Sequence, residues 1–316
     1  MNVPGGWRRS RSGPDAGKYG AGPHYRNEGW GFILPAFLCI TIFYFYPLLQ
    51  SVVYSFFQLE YTTDWLHAPF VGLRNYAAVM GSIEFWQSVR FTLLFTAGVV
   101  VLDLSAGMLL AIAAYWIHPA LRALLRTIII IPWAIPRVIQ ASIWRWMFNS
   151  DVGIIGTLLV RLGLAAEAPL FLADPNLALV CVVLTYVWKG ASISAVFLMA
   201  GLASVPQDLH DAARIDGAGR LRRFFAVTLP VMFPTLVVTM LFRLRDALRV
   251  FDVIIGLTGG GPGNATESLN TFAYRMYFDF NNYGLGSAYA FIIFLIIGII
   301  SIFYMKKFLG RFDFVR

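Results

Sequence analysis

Charge is scarce in this chain. Asp, Glu, Lys and Arg make up 13% of its 316 residues, about half the share found in an ordinary soluble domain. The hydrophobic fraction is 58% and the mean hydropathy is +0.67, so the surplus apolar side chains are expected to face lipid, and a soluble globular protein is excluded. Cysteine is equally sparse. Cys39 and Cys181 each sit in an apolar run with no second Cys or His at ligand spacing, which excludes a disulfide framework and a zinc site. His24, His67, His118 and His210 are scattered through polar flanks and loops, so there is no metal cluster and no nucleophile–base pair. The glycine run Gly259-Gly-Gly-Pro-Gly263 lacks the Gly-Lys-Ser/Thr ending of a phosphate-binding loop and reads as a turn. The net charge of +8 does not point to nucleic acid, because the basic residues fall mostly at the ends of apolar runs.

What the chain does have is membrane-length hydrophobic runs. Residues 1–29 are rich in Gly, Pro and Arg and read as a disordered basic tail. The run from Trp30 to about Phe57 is too long for a signal h-region and lacks an Ala-x-Ala exit, so it is expected to be a retained span, kinked at Pro47. A loop follows, with Tyr61, Trp65 and Trp86 suited to a membrane interface. Helix two is expected from about Val89 to Ile117 and contains Asp103. Helix three runs from about Ala123 to Phe148, broken by Pro132 and Pro136. Helix four ends near Ser204, helix five near Leu257, and helix six covers about Tyr283 to Tyr304. The expected fold is thus an all-α integral membrane protein with six transmembrane helices over residues 30–310. With a cytoplasmic N-terminus, fifteen Lys and Arg fall inside and only Arg74, Arg161 and Arg275 outside, a strong positive-inside bias that places both termini in the cytoplasm.

Between helices four and five lies the most polar interior stretch, residues 205–230. Gln207 to Asp216 reads as a short amphipathic helix, with Pro206 at its start and Gly217 as its stop. Asp211-Ala212-Ala213-Arg-Ile-Asp216-Gly217-Ala218, with Phe224 and Leu229-Pro230 behind it, resembles the EAA loop of permease subunits of ABC importers. Asp211 stands where that family usually has Glu. The resemblance implies that Asp211, Ala212, Ala213, Asp216, Gly217 and Ala218 form a coupling helix seated on an ATP-hydrolysing partner. Gly72-Leu-Arg-Asn-Tyr76, Phe251-Asp252, Thr258-Gly-Gly-Gly-Pro262, Thr266 and Tyr283-Gly284 resemble segments of carbohydrate permeases. The nearest resemblance is to the MalF-like, binding-protein-dependent sugar transport family, with the type I (MetI-like) importer fold.

That resemblance implies a multi-pass subunit of the bacterial inner membrane, itself without catalytic residues or cofactor. Its implied partners are a second permease, two subunits that bind ATP and Mg, and an extracytoplasmic solute-binding protein delivering a sugar, oligosaccharide or polyol. An importer of amino acids or polyamines is the alternative within the class. A secondary transporter is the alternative outside it, but no internal repeat is evident.

Ionisable side chains inside spans are costly and usually face a cavity or a partner. On helix four, Tyr186, Lys189, Gly190 and Ile193 share one face at i, i+3, i+4, i+7. On helix five, Arg243, Asp246, Ala247 and Val250 repeat that spacing. These eight are the candidate substrate-binding residues. The competing reading is a salt-bridge clamp, Lys189 or Arg243 with Asp246. Arg245, Arg249 and Asp252 fall on the opposite face, toward neighbouring helices or a partner, and Asp103 is expected to pair with one of the cations.

Overall fold

The computed structural model describes residues 33–308; the tail expected over 1–29 lies outside them. The described residues are almost wholly helical and carry two isolated β-bridges, Phe57 with Phe70 and Glu60 with Asn282. They divide into an N-terminal unit ending at Ser51 and a larger unit beginning at Val52.

The N-terminal unit is part of α1, Ile33–Tyr54. The expected irregularity near Pro47 takes the form of a π turn, Thr41–Phe45, directly before it. A proline cannot donate to the preceding turn, and a wider turn accommodates the lost bond.

In the larger unit, α2 (Arg74–Gly81) leads into α3, Ile83–Trp116, whose first turn is capped by Ser82. Three elements follow before the next long helix: α4 (Pro119–Ala134), α5 (Arg137–Met147) and α6 (Ile154–Arg161). Helices α4 and α5 form the expected broken helix, bent by 96°. The break falls at Ile135-Pro136, because the residue before a proline is driven into extended backbone and Ile135 has ψ 128°. Next come α7, Pro175–Ala203, and the short α8, Gln207–Ile215. Arg220–Leu248 is one further long helix, α9, with a π turn at Phe224–Thr228. Helix five therefore stops at Leu248, not Leu257. Arg249 to Phe251 break it, and Asp252–Leu257 forms a separate α10 that packs on α5. The chain closes with α11 (Leu269–Tyr274) and α12 (Tyr283–Phe308). Among the described residues, five helices are long and apolar enough to cross a membrane, and the bent α4–α5 pair makes a sixth.

The core is the α3–α7 pair, with α9 packed against both. Ala111 and Ala114 of α3 and Ala191 and Ala195 of α7 are buried. Small residues let helix backbones approach closely where lipid supplies no hydrophobic drive between helices. The outer side of α7 and α3 stays apolar and exposed, with Leu94, Val101, Leu102, Val180 and Leu184 turned outward, as lipid contact requires.

Candidate functional site

Helix α7 brings Tyr186, Lys189, Gly190 and Ile193 to one wall of a cavity of about 370 Å³, and α9 supplies Arg243 and Asp246. Six of the eight expected residues therefore line one space. Ala247 and Val250 do not. Both are buried in the apolar cluster with Val253 and Ile254: Val250 lies beyond the end of α9 at Leu248, and Ala247, still on the helix, is fully buried. Arg245 is a second correction. It lines the cavity with its side chain 60% exposed, since a long side chain at the edge of a face can turn toward either side.

The charges are arranged in two tiers. In the lower one, Arg243 donates from Nε and Nη2 to Asp103 Oδ2 at 2.8 and 2.5 Å. Asp103 is fully buried and Arg243 nearly so. The expected pairing of Asp103 with a cation is thus specific to Arg243. Gly190 admits this pair: a Cβ there would collide with the carboxylate and the guanidinium. In the upper tier, Asp246 Oδ2 receives Arg137 at 3.2 Å and Arg243 at 3.4 Å, with Arg245 3.8 Å from its other oxygen.

Lys189 does not pair with Asp246. Its ammonium donates to the carbonyls of Pro132, Trp133 and Ile135. The last carbonyls of α4 have no helical partner beyond the break, and the partly exposed ammonium of Lys189 satisfies them. Ser192 of α7 donates to the carbonyl of Ile129 one turn earlier, so α7 holds the broken helix at two points.

Tyr186 is also placed differently from a stacking platform. Arg243 lies 5.4 Å from its ring centroid, and the edge-to-face partner Phe95 is 5.4 Å away. What remains is its hydroxyl, which, like Gln140 Oε1, is buried without a hydrogen-bond partner. The exposed rings of the cavity are Trp133, Phe197 and Phe242, the last two stacked at 5.7 Å. Sequence reasoning missed Arg137, Gln140 and Trp133. Arg137 and Gln140 stand at i, i+3 on one face of a half-helix that also carries Ser142 and Arg145, and that shared spacing was the available signal.

The elbow is the second candidate site. Helix α8 has no buried residue, and Leu209, Ile215 and Leu221 are exposed. Gly217 ends it at φ +77°, a left-handed conformation that side chains with a Cβ resist. Asp211 meets Arg214 at 3.6 Å, both exposed, and accepts a long hydrogen bond from Gln207 at 3.5 Å.

The carbohydrate-permease segments gather elsewhere. Asn75 donates to the carbonyls of Ser55 and Phe57 at 2.8 and 3.0 Å, and Tyr76 shares a hydrogen bond with Ser55. Gly284 donates its backbone N–H to Leu59. These segments fasten the loop after α1 to the start of α12. The glycine run is a turn, as expected, closed by Thr258 and Thr266. Glu267 behind it pairs with Arg275 at 2.7 Å. Burial holds its carboxyl above the ordinary range against the lowering effect of that arginine.

This architecture is that of an ABC importer permease. The chain superposes with a TM-score of 0.79, at 22% identity, on a chain of a bacterial ABC transporter involved in the import of the acidic polysaccharide alginate, covering 90% of this chain and 96% of that one. Residues 103–312 match the family described as binding-protein-dependent transport system inner membrane component. The trehalose/maltose transport system permease protein MalF of Thermococcus litoralis is 38% identical over 91% of this chain and 96% of its own. The sulfoquinovosyl glycerol transport system permease protein SmoG of Agrobacterium fabrum is 35% identical, over 87% and 88%. The chain belongs to the family of inner membrane components of binding-protein-dependent transport systems.

Proposed function

We propose that this chain is the permease subunit through which a sugar, oligosaccharide or polyol crosses the inner membrane, with the cavity between α5, α7 and α9 as its share of the path. The observation that carries this reading is the lining. Exposed rings of Trp133, Phe197 and Phe242 share the lining with the partly exposed charges of Arg137, Arg245 and Asp246 and with two buried, unpaired oxygens, Tyr186 Oη and Gln140 Oε1. Carbohydrates are held in this manner, by rings under the C–H faces and by planar charged groups at the hydroxyls. The names of the relatives, which transport trehalose, maltose and a sulfoquinovosyl glycerol, support the same class.

We infer the remaining parts, with the family as their support. The chain carries no catalytic machinery of its own. ATP and Mg belong to two partner subunits, on which Asp211, Ala212, Ala213, Asp216, Gly217 and Ala218 dock. A second permease completes the pore, an extracytoplasmic binding protein delivers the substrate, and both termini are cytoplasmic. The exposed apolar and small residues of α8 support this docking role, since an isolated soluble helix would bury them. Closure of the ATP-bound dimer moves the elbow and opens the cavity outward.

The test is Trp133→Ala in the complex purified with its partner subunits and binding protein and reconstituted in lipid. Trp133 is exposed, so assembly and basal ATPase activity are retained. The sugar concentration for half-maximal ATPase stimulation rises about tenfold, the loss expected of one aromatic contact. Stimulation by amino acids or polyamines but by no carbohydrate would overturn the substrate class.

A further inference from the structure

A second cavity, of about 440 Å³, opens where the lower ends of α3 and α7 meet the elbow and the start of α9. We propose that it is a binding site for one anionic phospholipid of the leaflet on the elbow's side. That leaflet is the cytoplasmic one only on the orientation proposed above; the site itself does not depend on it.

Three features converge on this occupant. The first is depth. Leu109 and Trp116, both lining the groove, are seven residues apart on α3, about 10 Å along the helix axis. The groove therefore starts at the interfacial ring of Trp116 and continues down an apolar wall of Ile112 and Leu109. A chain-like apolar ligand fits that shape, with the head group at the tryptophan. The second is charge. Arg220, Arg223 and His210 line its polar end, and no Asp or Glu does. Arg122 adds a third guanidinium nearby, donating to the carbonyl of Tyr115 at 3.1 Å. Basic pockets between transmembrane helices attract anionic head groups. The third is an unmet donor: Nε of Arg223 is buried with no hydrogen-bond partner among the described residues, and a phosphate oxygen is the acceptor it lacks.

The competing occupant is the ATP-binding subunit itself. Asp211, Ala212, Ala213, Asp216 and Gly217 of the proposed docking surface do not line the groove. A partner held by those residues leaves the groove to lipid.

Brominated acyl chains quench nearby tryptophan, and the part of the signal due to Trp116 is the difference between the wild-type chain and Trp116→Phe. The complete complex is placed in nanodiscs of phosphatidylcholine with a rising fraction of either brominated phosphatidylglycerol or brominated phosphatidylcholine. Half-maximal quenching of Trp116 is expected at an at least fivefold lower fraction of phosphatidylglycerol. The preference disappears in Arg220→Gln/Arg223→Gln and survives in Arg222→Gln, whose exposed side chain does not line the groove. Thermal unfolding of each variant in the same discs separates loss of the site from loss of the fold, and a double variant that unfolds is replaced by the single exchange Arg220→Gln, for which a weakened preference is expected. Equal quenching by the two lipids overturns the proposal in favour of unselective boundary lipid. Quenching that occurs in the permease alone and vanishes in the assembled complex overturns it in favour of the ATP-binding subunit.

Discussion

Arg243 and Arg214 belong to the same chain and are used in opposite ways. Arg243 has its side chain 6% exposed and lies within reach of Asp103, Asp246 and the ring of Tyr186. Arg214 is 64% exposed and meets one carboxylate loosely. Inside an apolar bundle a guanidinium without a counter-charge is very costly, so the chain must satisfy it internally. On the elbow, water satisfies the charge, and the side chain remains free to meet another protein. The difference teaches that charge in this molecule is sorted by whom it serves. The buried tier under the cavity holds the helices together, whereas the exposed charges of the elbow contribute almost nothing to the chain that carries them.

The sharpest way to break this comparison is Asp103→Ala. It leaves Arg243 buried with only Asp246 at 3.4 Å, and breaking a buried pair costs about 3–5 kcal/mol. A loss near the lower end, about 3 kcal/mol, is expected because Asp246 remains. The readout is thermal unfolding of the purified complex, together with its yield from the membrane. The double variant Asp103→Leu/Arg243→Met, which removes both charges, should recover most of that loss. Failure of the double variant to recover any stability would mean that Arg243 serves more than its partner.

Gly190→Ala probes the same tier with a smaller expected effect. The added methyl meets both Asp103 and Arg243, and overpacking a tight site costs about 1–3 kcal/mol. Because Gly190 also lines the cavity, transport and stability should fall together. Wild-type unfolding with reduced transport would show that the pair can shift aside and that Gly190 matters for the path alone.

How much of this was legible beforehand differs between the tiers. Helical periodicity placed Tyr186, Lys189, Gly190 and Ile193 on one face, and they line one wall. The elbow was legible nearly to the residue, from Pro206 through Gly217, because turn and stop signals act locally. Pairing across the bundle was not. Asp103 and Arg243 are 140 residues apart, and no local pattern says which of several cations a lone carboxylate will meet. Which of the two cations offered for Asp246 would take it was open for a related reason: Arg243 does, and Lys189 does not. Its partners are main-chain carbonyls exposed by the break at Pro136, and a sequence advertises side-chain charges but not orphaned carbonyls. Val250 misses the cavity because the periodic face was extended past the end of α9 at Leu248, whereas Ala247, inside the helix, is buried in the apolar cluster instead of lining the cavity.

The smallest expected effect on stability is the one that would sharpen the comparison most. Asp211 contacts only Arg214 and, at 3.5 Å, Gln207 on its own helix. Exposed pairs of this kind contribute about 0.5 kcal/mol or less. Asp211→Ala should therefore leave unfolding of the isolated chain unchanged, while association with the ATP-binding subunits weakens and ATPase activity loses its dependence on substrate. Asp211→Glu keeps the charge and adds one methylene, the residue the resembling family usually carries, and should retain coupling. Co-purification at rising salt separates the two, since an interfacial carboxylate makes association salt-sensitive and its loss removes part of that sensitivity. Were Asp211→Ala instead to unfold the chain as readily as Asp103→Ala does, the elbow's charges would be serving the chain itself, and the division between the two regions would collapse.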